Sequence, residues 1–287
     1  MLLSMTGFGK AECILSNKKI SVEIKTLNSK HFDANVRIPS VYKSKEVGIR
    51  QQLNLALNRG KIDCSLFIEK MEGEPSVKLD KKVITAYYTS LKSIAEQLGN
   101  TDELMSSVMR LPHVILTEKD EFEEDEWKEI TKAIDQAIKA VNDYRLKEGN
   151  QLKLDFEQRI KTISTLLQSV EQIGKKRTKR IQLSIANQIK DLKLSVDENR
   201  FEQEMIYYLE KLDVTEEIIR LGIHLNYFSD VMNESNSQGK KLGFIGQEIG
   251  REINTIGSKA NDADMQKLVV QMKDELEKIK EQLLNVL

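Results

Sequence analysis

Two glutamates in a helical stretch near the end of the chain have the spacing of a metal-binding pair. Residues 240–265 read KKLGFIGQEIGREINTIGSKANDADM, and their apolar residues recur every three or four positions, which predicts an amphipathic helix. Glu248 and Glu252 are four residues apart, so their carboxylates lie one above the other on that helix. Because like charges at this spacing repel, a divalent cation, Arg251 or a basic partner is expected to offset them. A solvated helix face is the alternative interpretation.

A second group with suitable chemistry precedes this stretch. Glu217, Arg220 and His224 follow one another at helical spacing and share one face of a predicted helix. A carboxylate can orient an imidazole or bind a metal, an arginine can hold a phosphate with two hydrogen bonds, and a histidine can transfer a proton near neutral pH. These residue types suit cleavage of a phosphodiester bond. A polar helix face with a salt bridge and a partly buried histidine explains the same spacing.

Cations near the start of the chain suit contacts with a polyanion. The segment KTLNSKHF, residues 25–32, leads from a predicted strand into a loop and offers cations, polar donors and an aromatic ring. Such a set suits phosphate contacts combined with base stacking. We expect the segment to line a basic groove with the later cations Arg37, Arg59 and Lys61. An ordinary polar turn is the alternative.

The charge of the chain is balanced as a whole and uneven in detail. The formal net charge is -1, which argues against indiscriminate binding of nucleic acid. Residues 1–70 and 174–193 each carry an excess of basic residues, whereas residues 117–129 are strongly acidic. Local basic patches can therefore serve a polyanion, although a solvated helix face explains 174–193 equally well.

Several classes of catalytic site are excluded by the motifs. The sequence contains no HExxH, Walker loop, GxSxG, CxxC or Rossmann glycine pattern. Three scattered histidines cannot build a zinc site alone, so any metal is expected to be Mg or Mn bound by carboxylates. Asn261, Asp262 and Asp264 suit helix N-caps and are also free to reach such an ion. Cys13 and Cys64 lie in predicted strands and are expected to be reduced thiols.

The elements that must position these residues predict an α+β protein, with an N-terminal antiparallel sheet domain carrying a helix, followed by a long all-α C-terminal region. The predicted elements are strands at 3–15, 18–27, 34–38 and 62–69, a helix at 42–57, and long helices from 126 to 173 and from 175 to 194. We expect an N-terminal α+β domain over 1–72, a helical linker region over 73–125 and a C-terminal helical domain over 126–287. Gly149 predicts a kink in the first long helix.

No stretch approaches the length of apolar sequence that crosses a membrane, and the start of the chain has no signal-peptide core. These features predict a cytoplasmic protein without membrane segments.

Taken together, several stretches resemble the YicC family of bacterial proteins, and the resemblance spans essentially the whole chain. They are SMTGFGK, EIKTLNSKHFD, RGKIDCSL, LPHVI, VDENRFEQE, DVTEEIIRLGIHLNYF, GKKLGFIGQEIGREINTIGSKANDADM and EKIKEQLLNV. The resemblance implies an endoribonuclease that depends on a divalent metal, Mn or Mg, and forms a ring-like homohexamer around single-stranded RNA. The family usually has Asp at Gly243, Asn at Gly250, Arg at Lys25 and Gly at His113, so this chain departs from the pattern there.

The family pattern, carried over residue by residue, falls on Asn28, Lys30, Arg37, Arg59, Gly60, Lys61, Glu204, Glu217, Arg220, His224, Gln247, Glu248, Arg251, Glu252, Asn254, Thr255, Ser258 and Lys259. From the residue chemistry we assign Glu248 and Glu252 as metal ligands. We assign catalytic roles to Glu217, Arg220, His224 and Arg251. The expected RNA-binding residues are Lys25, Asn28, Lys30, Arg37, Arg59, Lys61 and Lys259. A non-catalytic RNA-binding adaptor that presents RNA to another nuclease stays an alternative, as does a purely structural helical oligomer.

Overall fold

The computed structural model of the chain describes residues 2–15, 18–70, 78–98, 103–116, 124–191, 198–234 and 236–287. Most of the acidic run and the last residues of the basic segment 174–193 lie outside this part. The strands are β1 Gly7–Leu15, β2 Lys18–Leu27, β3 Phe32–Arg37, β4 Gly60–Lys70, β5 Lys78–Leu79 and β6 Ile115–Leu116. The helices are α1 Glu46–Leu57, α2 Lys81–Leu98, α3 Leu104–Val108, α4 Glu124–Asp191, α5 Glu198–Leu212, α6 Thr215–Met232, α7 Gly239–Lys259 and α8 Ala263–Leu283.

The predicted fold class is confirmed, and one strand pairing differs from expectation. β1 to β4 form a sheet in the order β1-β2-β4-β3, in which β1–β2 and β2–β4 are antiparallel. β3 and β4 are parallel instead of antiparallel. A 3-10 helix, Ser40–Lys45, and α1 connect these two strands and carry the chain back to the end of the sheet where β3 began. A crossover of this kind produces a parallel pair.

One face of the sheet is covered by helices. Alternate residues of each strand are buried on that face, among them Ile20, Val22 and Ile24 of β2. The first part of α4 lies against β1 and β2, and α1 lies against β3. A side chain at Gly9 would collide with the backbone of Ala137 in α4, so a glycine there permits close approach.

The helix α4 contributes to both hydrophobic cores of the protein. It has 68 residues and a length of about 100 Å. Its apolar stripe first contacts the sheet and then, from Phe156 onward, the core formed by α6, α7 and α8. The two helices expected at 126–173 and 175–194 are thus one continuous helix, which passes through Gly149 without interruption. Within the described residues, no helix combines the length and apolarity that a membrane span requires.

The two ends of the chain meet over the middle of α4. Ser4 and Val286 form an isolated β-bridge, and the amide of Met5 donates to the carbonyl of Asn285 at 2.8 Å. The side chain of Thr6 donates to Glu148 at 2.6 Å, and a Cβ on Gly149 would lie 2.2 Å from the carbonyl oxygen of Leu2. Gly149 therefore marks a close approach of the N-terminal segment to α4.

A buried arginine fixes the adjoining end of the sheet. The guanidinium of Arg145 donates to the hydroxyl of Thr26 and to the carbonyls of Met5, Leu57 and Arg59, at 3.2 to 3.4 Å. Burial lowers the pKa of Arg145 to about 10. These bonds hold the turn at Asn58–Gly60, where both named residues have positive φ. The loops that carry the predicted RNA-binding residues are positioned by this buried cation.

Candidate functional site

Two predicted residues that are distant in sequence form a buried ion pair between α6 and α7. The ammonium of Lys259, at the end of α7, lies 2.8 Å from a carboxylate oxygen of Glu217, at the start of α6. Glu217 is buried because it faces α7, and its second oxygen, Oε2, receives no hydrogen bond. Lys259 was expected to bind RNA and Glu217 to take part in catalysis, and the structure joins the two residues directly.

A histidine and a second buried glutamate occupy the middle of the same helix pair. The helices α6 and α7 are antiparallel, and His224 and Glu252 each lie seven residues from the Glu217–Lys259 pair. The two residues are therefore at the same level along the helix pair. His224 is half-buried, whereas Glu252 is only 5% exposed. In the described part of the chain, Glu252 has neither a hydrogen bond nor an ion pair. A carboxylate with so little exposure and no ion pair is a candidate ligand for a cation.

The remaining candidates of these helices lie at the solvent edge. Arg220 pairs with Glu216 at 2.5 Å, and Arg251 approaches Glu248 at 3.8 Å. All four side chains are substantially exposed, so these pairs are weak and can be exchanged for another partner. The exposed edge of α6 and α7 therefore carries Arg220 and Arg251 close to His224 and Glu252 in the sequence of each helix.

The carboxylates of Glu248 and Glu252 suit a divalent cation whose remaining ligands are water or phosphate oxygens. Among the described residues, no group of three or more His, Cys, Asp or Glu side chains is arranged to hold a metal ion. Glu248 and Glu252 supply two carboxylates one helical turn apart, and the buried one has no other partner. Mg and Mn are commonly held by one or two carboxylates, with water and phosphate oxygens completing the coordination. The pair fits such an ion and does not fit a site built wholly from protein ligands.

The outer face of the sheet carries three of the predicted RNA-binding cations. Lys25, Arg37 and Lys61 point to solvent and have no ion pair within the described residues. Acidic residues alternate with them, since Lys25 lies opposite Asp63 and Lys61 opposite Asp33. A depression of about 230 Å³ between these strands is lined by Glu23, Lys25, Arg37, Asp63 and Ser65. The surface is therefore a mixed one, less basic than the expected groove.

The aromatic residue on this face is a different one from that expected. Phe32 is partly buried against the sheet core, whereas Phe8 is exposed beside Lys25, whose ammonium lies 5.7 Å from the ring centroid. The period-two pattern of β1 places Phe8 on the same face as Lys10, and this was the signal in the sequence that could have identified it.

Other predicted RNA-binding residues are engaged in the structure. The amide nitrogen of Asn28 donates to the carbonyl of Leu284 at 2.6 Å, which ties the loop after β2 to the end of α8. Arg59 is half-buried against the sulfur of Met5, and its Nε has no acceptor. Lys30 is exposed. The loop at the sheet end thus contains structural contacts as well as free cations.

The catalytic candidates and the sheet cations do not meet within one chain. The amide of Gly239 donates to the carbonyl of Leu287, so α7 begins beside the junction of the chain ends. Glu252 lies thirteen residues along this helix and Lys259 twenty, at distances of about 20 and 30 Å from its start. We call the surface along the contact of α6 and α7, which carries His224 and Glu252, the groove of α6 and α7, and it extends away from the sheet.

The basic segment and the aspartates before α8 meet at the far end of α7. Arg177 is buried and donates to the carbonyl of Lys259 at 3.1 Å, and Arg180 pairs with Asp262 at 2.5 Å. Asp262 also accepts from the amides of Asp264 and Met265, so it is the N-cap of α8. The sequence suggested this capping role as one of two alternatives. The burial of Arg145 and Arg177 had no local signal in the sequence.

The departures from the family pattern differ in their surroundings. A Cβ on Gly243 would meet nothing within 4 Å, so a side chain is readily accommodated there. A Cβ on Gly250 would lie 3.2 Å from a methyl group of Leu276 in α8. An asparagine at Gly250 therefore requires the side chain of Leu276 to move by a few tenths of an ångström.

Comparison with known proteins gives a consistent match along the whole chain. The family model described as "Endoribonuclease YicC-like, N-terminal region" matches residues 2–154, and the model described as "Endoribonuclease YicC-like, C-terminal" matches residues 166–287. A protein of Clostridioides difficile strain 630 named "Probable endoribonuclease YicC" is 31% identical over 293 positions, covering 100% of both chains. A protein of Haemophilus influenzae with the same name is 29% identical over 287 positions, again covering 100% of both chains.

Proposed function

Because this chain belongs to the YicC-like endoribonuclease family, we propose that it cleaves RNA at internal phosphodiester bonds and that it uses a divalent metal ion to do so. The observation that carries the proposal is the buried carboxylate of Glu252, which has no partner in the described part of the chain. It lies level with His224 and one turn from Glu248, in a groove edged by two arginines. This combination provides an anionic cation site, a proton-transfer group and phosphate ligands.

Each side chain of the groove has a separate role in the proposed cleavage. Glu248 and Glu252 would hold the ion, which when bound would supply an activated water and offset negative charge on the phosphate. Arg220 and Arg251 exchange their exposed carboxylate partners for the scissile phosphate, which their planar guanidinium groups can bind with two hydrogen bonds. His224 transfers a proton. Glu217 holds Lys259, whose ammonium is then available to an adjacent phosphate.

The sheet cations position the RNA backbone. Lys25, Lys30, Arg37 and Lys61 are exposed and suit phosphate contacts, while Asn28 and Arg59 shape the loops that carry them. Since Glu252 and Lys259 lie about 20 and 30 Å along α7 from the end that adjoins the chain-end junction, we propose that the protein acts as a homo-oligomer, a hexamer. In such an assembly the sheet of one copy and the groove of another can engage one strand. With RNA as substrate, the expected location is the cytoplasm.

A cleavage gel tests the proposal. Purified protein is incubated with a labelled single-stranded RNA and with a hairpin RNA, in Mn or Mg and then in EDTA. The test variant is Glu248→Gln/Glu252→Gln. The matched control is Glu277→Gln/Glu281→Gln, because these glutamates are also four residues apart on a helix and both are exposed on α8. We expect metal-dependent fragments from the native protein and the control, and none from the test variant.

The outcomes separate the proposal from its alternative. Full activity of the Glu248→Gln/Glu252→Gln variant would remove the metal-site assignment. RNA that stays intact with the native protein, yet shifts on a native gel, would indicate a binding adaptor instead of a nuclease.

A further inference from the structure

A separate cavity lies where the second half of α4 passes the turn between α7 and α8. It has a volume of about 210 Å³, which is small for a drug-sized ligand and suits a compact ion. Its lining residues are Ile173, Lys176, Arg177, Arg180, Asp262 and Asp264. None of the residues assigned above to metal binding or catalysis lines this cavity.

A buried guanidinium with an unused donor forms part of the lining. Arg177 is only 4% exposed, and burial lowers its pKa. Its Nη2 donates to the carbonyl of Lys259 at 3.1 Å and its Nη1 approaches the sulfur of Met265 at 3.6 Å. Its Nε is buried and has no acceptor. Arg177 forms no ion pair within the described residues. A buried donor without an acceptor costs about 1–3 kcal/mol, so the position favours an incoming oxygen ligand.

The surrounding charges favour an anion. Lys176 is exposed and has no ion pair in the described chain, while Arg180 is largely exposed and can leave its pair with Asp262. The two acidic residues are already occupied, since Asp262 caps α8 and Asp264 pairs with Lys267 at 3.3 Å. Three cations line the cavity against two carboxylates, so the balance of charge favours an anion.

We propose that this cavity binds a phosphate group through Lys176, Arg177 and Arg180. This inference rests on the proposed function. The phosphate group belongs to the RNA backbone and lies beyond the groove of α6 and α7. The cavity adjoins that groove because Arg177 binds the carbonyl of Lys259, whose ammonium pairs with Glu217. A bound strand therefore passes from the groove to this phosphate site at the end of α7.

The first arm of the test measures RNA binding as a function of salt. The variant Lys176→Gln/Arg180→Gln removes two exposed cations and leaves Arg177 in place. The control Lys147→Gln/Lys161→Gln removes two exposed cations of the same helix that do not line the cavity. Dissociation constants for a single-stranded RNA are measured in EDTA over a range of salt. We expect the slope of log affinity against log salt to weaken by about 0.7 for each lost phosphate contact, beyond any change in the control.

The second arm uses inorganic phosphate in place of RNA. At constant ionic strength, phosphate should raise the melting temperature of the native protein and the control, and leave that of Lys176→Gln/Arg180→Gln unchanged. A changed RNA slope supports a backbone phosphate as the ligand, and a phosphate effect alone supports a free phosphate. If neither arm distinguishes the variant from the control, the site is overturned. A native protein that neither binds nor cleaves RNA contradicts the proposed function, and the phosphate arm still decides the cavity.

Discussion

The two buried glutamates of the groove have different electrostatic surroundings. Glu217 is compensated by the ammonium of Lys259, so its charge is balanced in the folded chain. Glu252 has no such partner among the described residues, and only 5% of its surface is exposed. The lack of an ion pair leaves this carboxylate better placed than Glu217 to bind a cation. The groove therefore contains one carboxylate that is paired, Glu217, and one that can bind a cation, Glu252.

Because Glu252 has no ion pair in the described part of the chain, its replacement should change the free energy of unfolding. In EDTA, Glu252→Gln is expected to raise the free energy of unfolding by up to about 1 kcal/mol, because it removes a charge that has little exposure, no ion pair in the described part of the chain and a like charge one turn away. Mn should stabilise the native protein and have little effect on the variant. Denaturant unfolding with and without metal measures both effects. Glu248→Gln, at a half-exposed position, should change the stability by less than about 0.5 kcal/mol. A loss of stability in Glu252→Gln without metal would show that the carboxylate has a partner.

Among the elements, α4 connects the sheet to the helical core, and the N-terminal segment is tied down across it. The amide of Ser4 donates to the carbonyl of Arg145 at 3.1 Å, and Thr6 donates to Glu148. The absence of a side chain at Gly149 lets Leu2 approach the helix backbone. One turn of α4 thus holds the start of β1 and, through Arg145, the loops at the sheet end.

A pair of glycine substitutions should have opposite effects for this reason. In the interior of a helix, glycine to alanine normally stabilises by about 1 kcal/mol. Gly222→Ala in α6 should follow that rule, because its Cβ would meet nothing within 4 Å. Gly149→Ala should destabilise by about 1–3 kcal/mol, because its Cβ would lie 2.2 Å from the carbonyl oxygen of Leu2. Chemical denaturation of both variants measures the difference. A stabilised Gly149→Ala protein would mean that the N-terminal segment is readily displaced.

In the molecule as a whole, the separation of the groove from the sheet cations makes assembly central to the proposed function. The outer face of α6 carries an apolar stripe of Ile219, Ile223 and Tyr227, which are 58%, 60% and 44% exposed. The stripe lies on the same helix as His224 and Arg220. A contact between copies on this face would bring residues of another chain close to the groove.

Disruption of the stripe should therefore reduce both assembly and cleavage. Ile223→Asp is expected to lower the sedimenting mass from a hexamer to smaller species, because a charge at a buried apolar contact is costly. Cleavage should fall with the loss of assembly. Leu55→Asp, on α1 and 83% exposed, serves as the control and should leave the mass unchanged. Sedimentation velocity measures the mass, and a native protein that sediments as a monomer would contradict the proposal.

The sequence alone was sufficient for the features that depend on local geometry. A period of two predicted the strands, and spacings of three and four predicted the helices, because neighbouring side chains point to faces fixed by the backbone. The placement of Glu217, Arg220 and His224 on one helix, and the capping role of Asp262, follow from the same local rules. The resemblance to the YicC family was confirmed by both family models.

Only the tertiary structure decided which distant residues meet. The Glu217–Lys259 pair, the bond from Asn28 to Leu284 and the burial of Arg145 join segments that are far apart in the sequence. The parallel pairing of β3 with β4 and the separation of the groove from the sheet cations are of the same kind. The physical reason is that spacing along the chain fixes the face on which a side chain lies, whereas its partner is fixed by the packing of complete elements against one another.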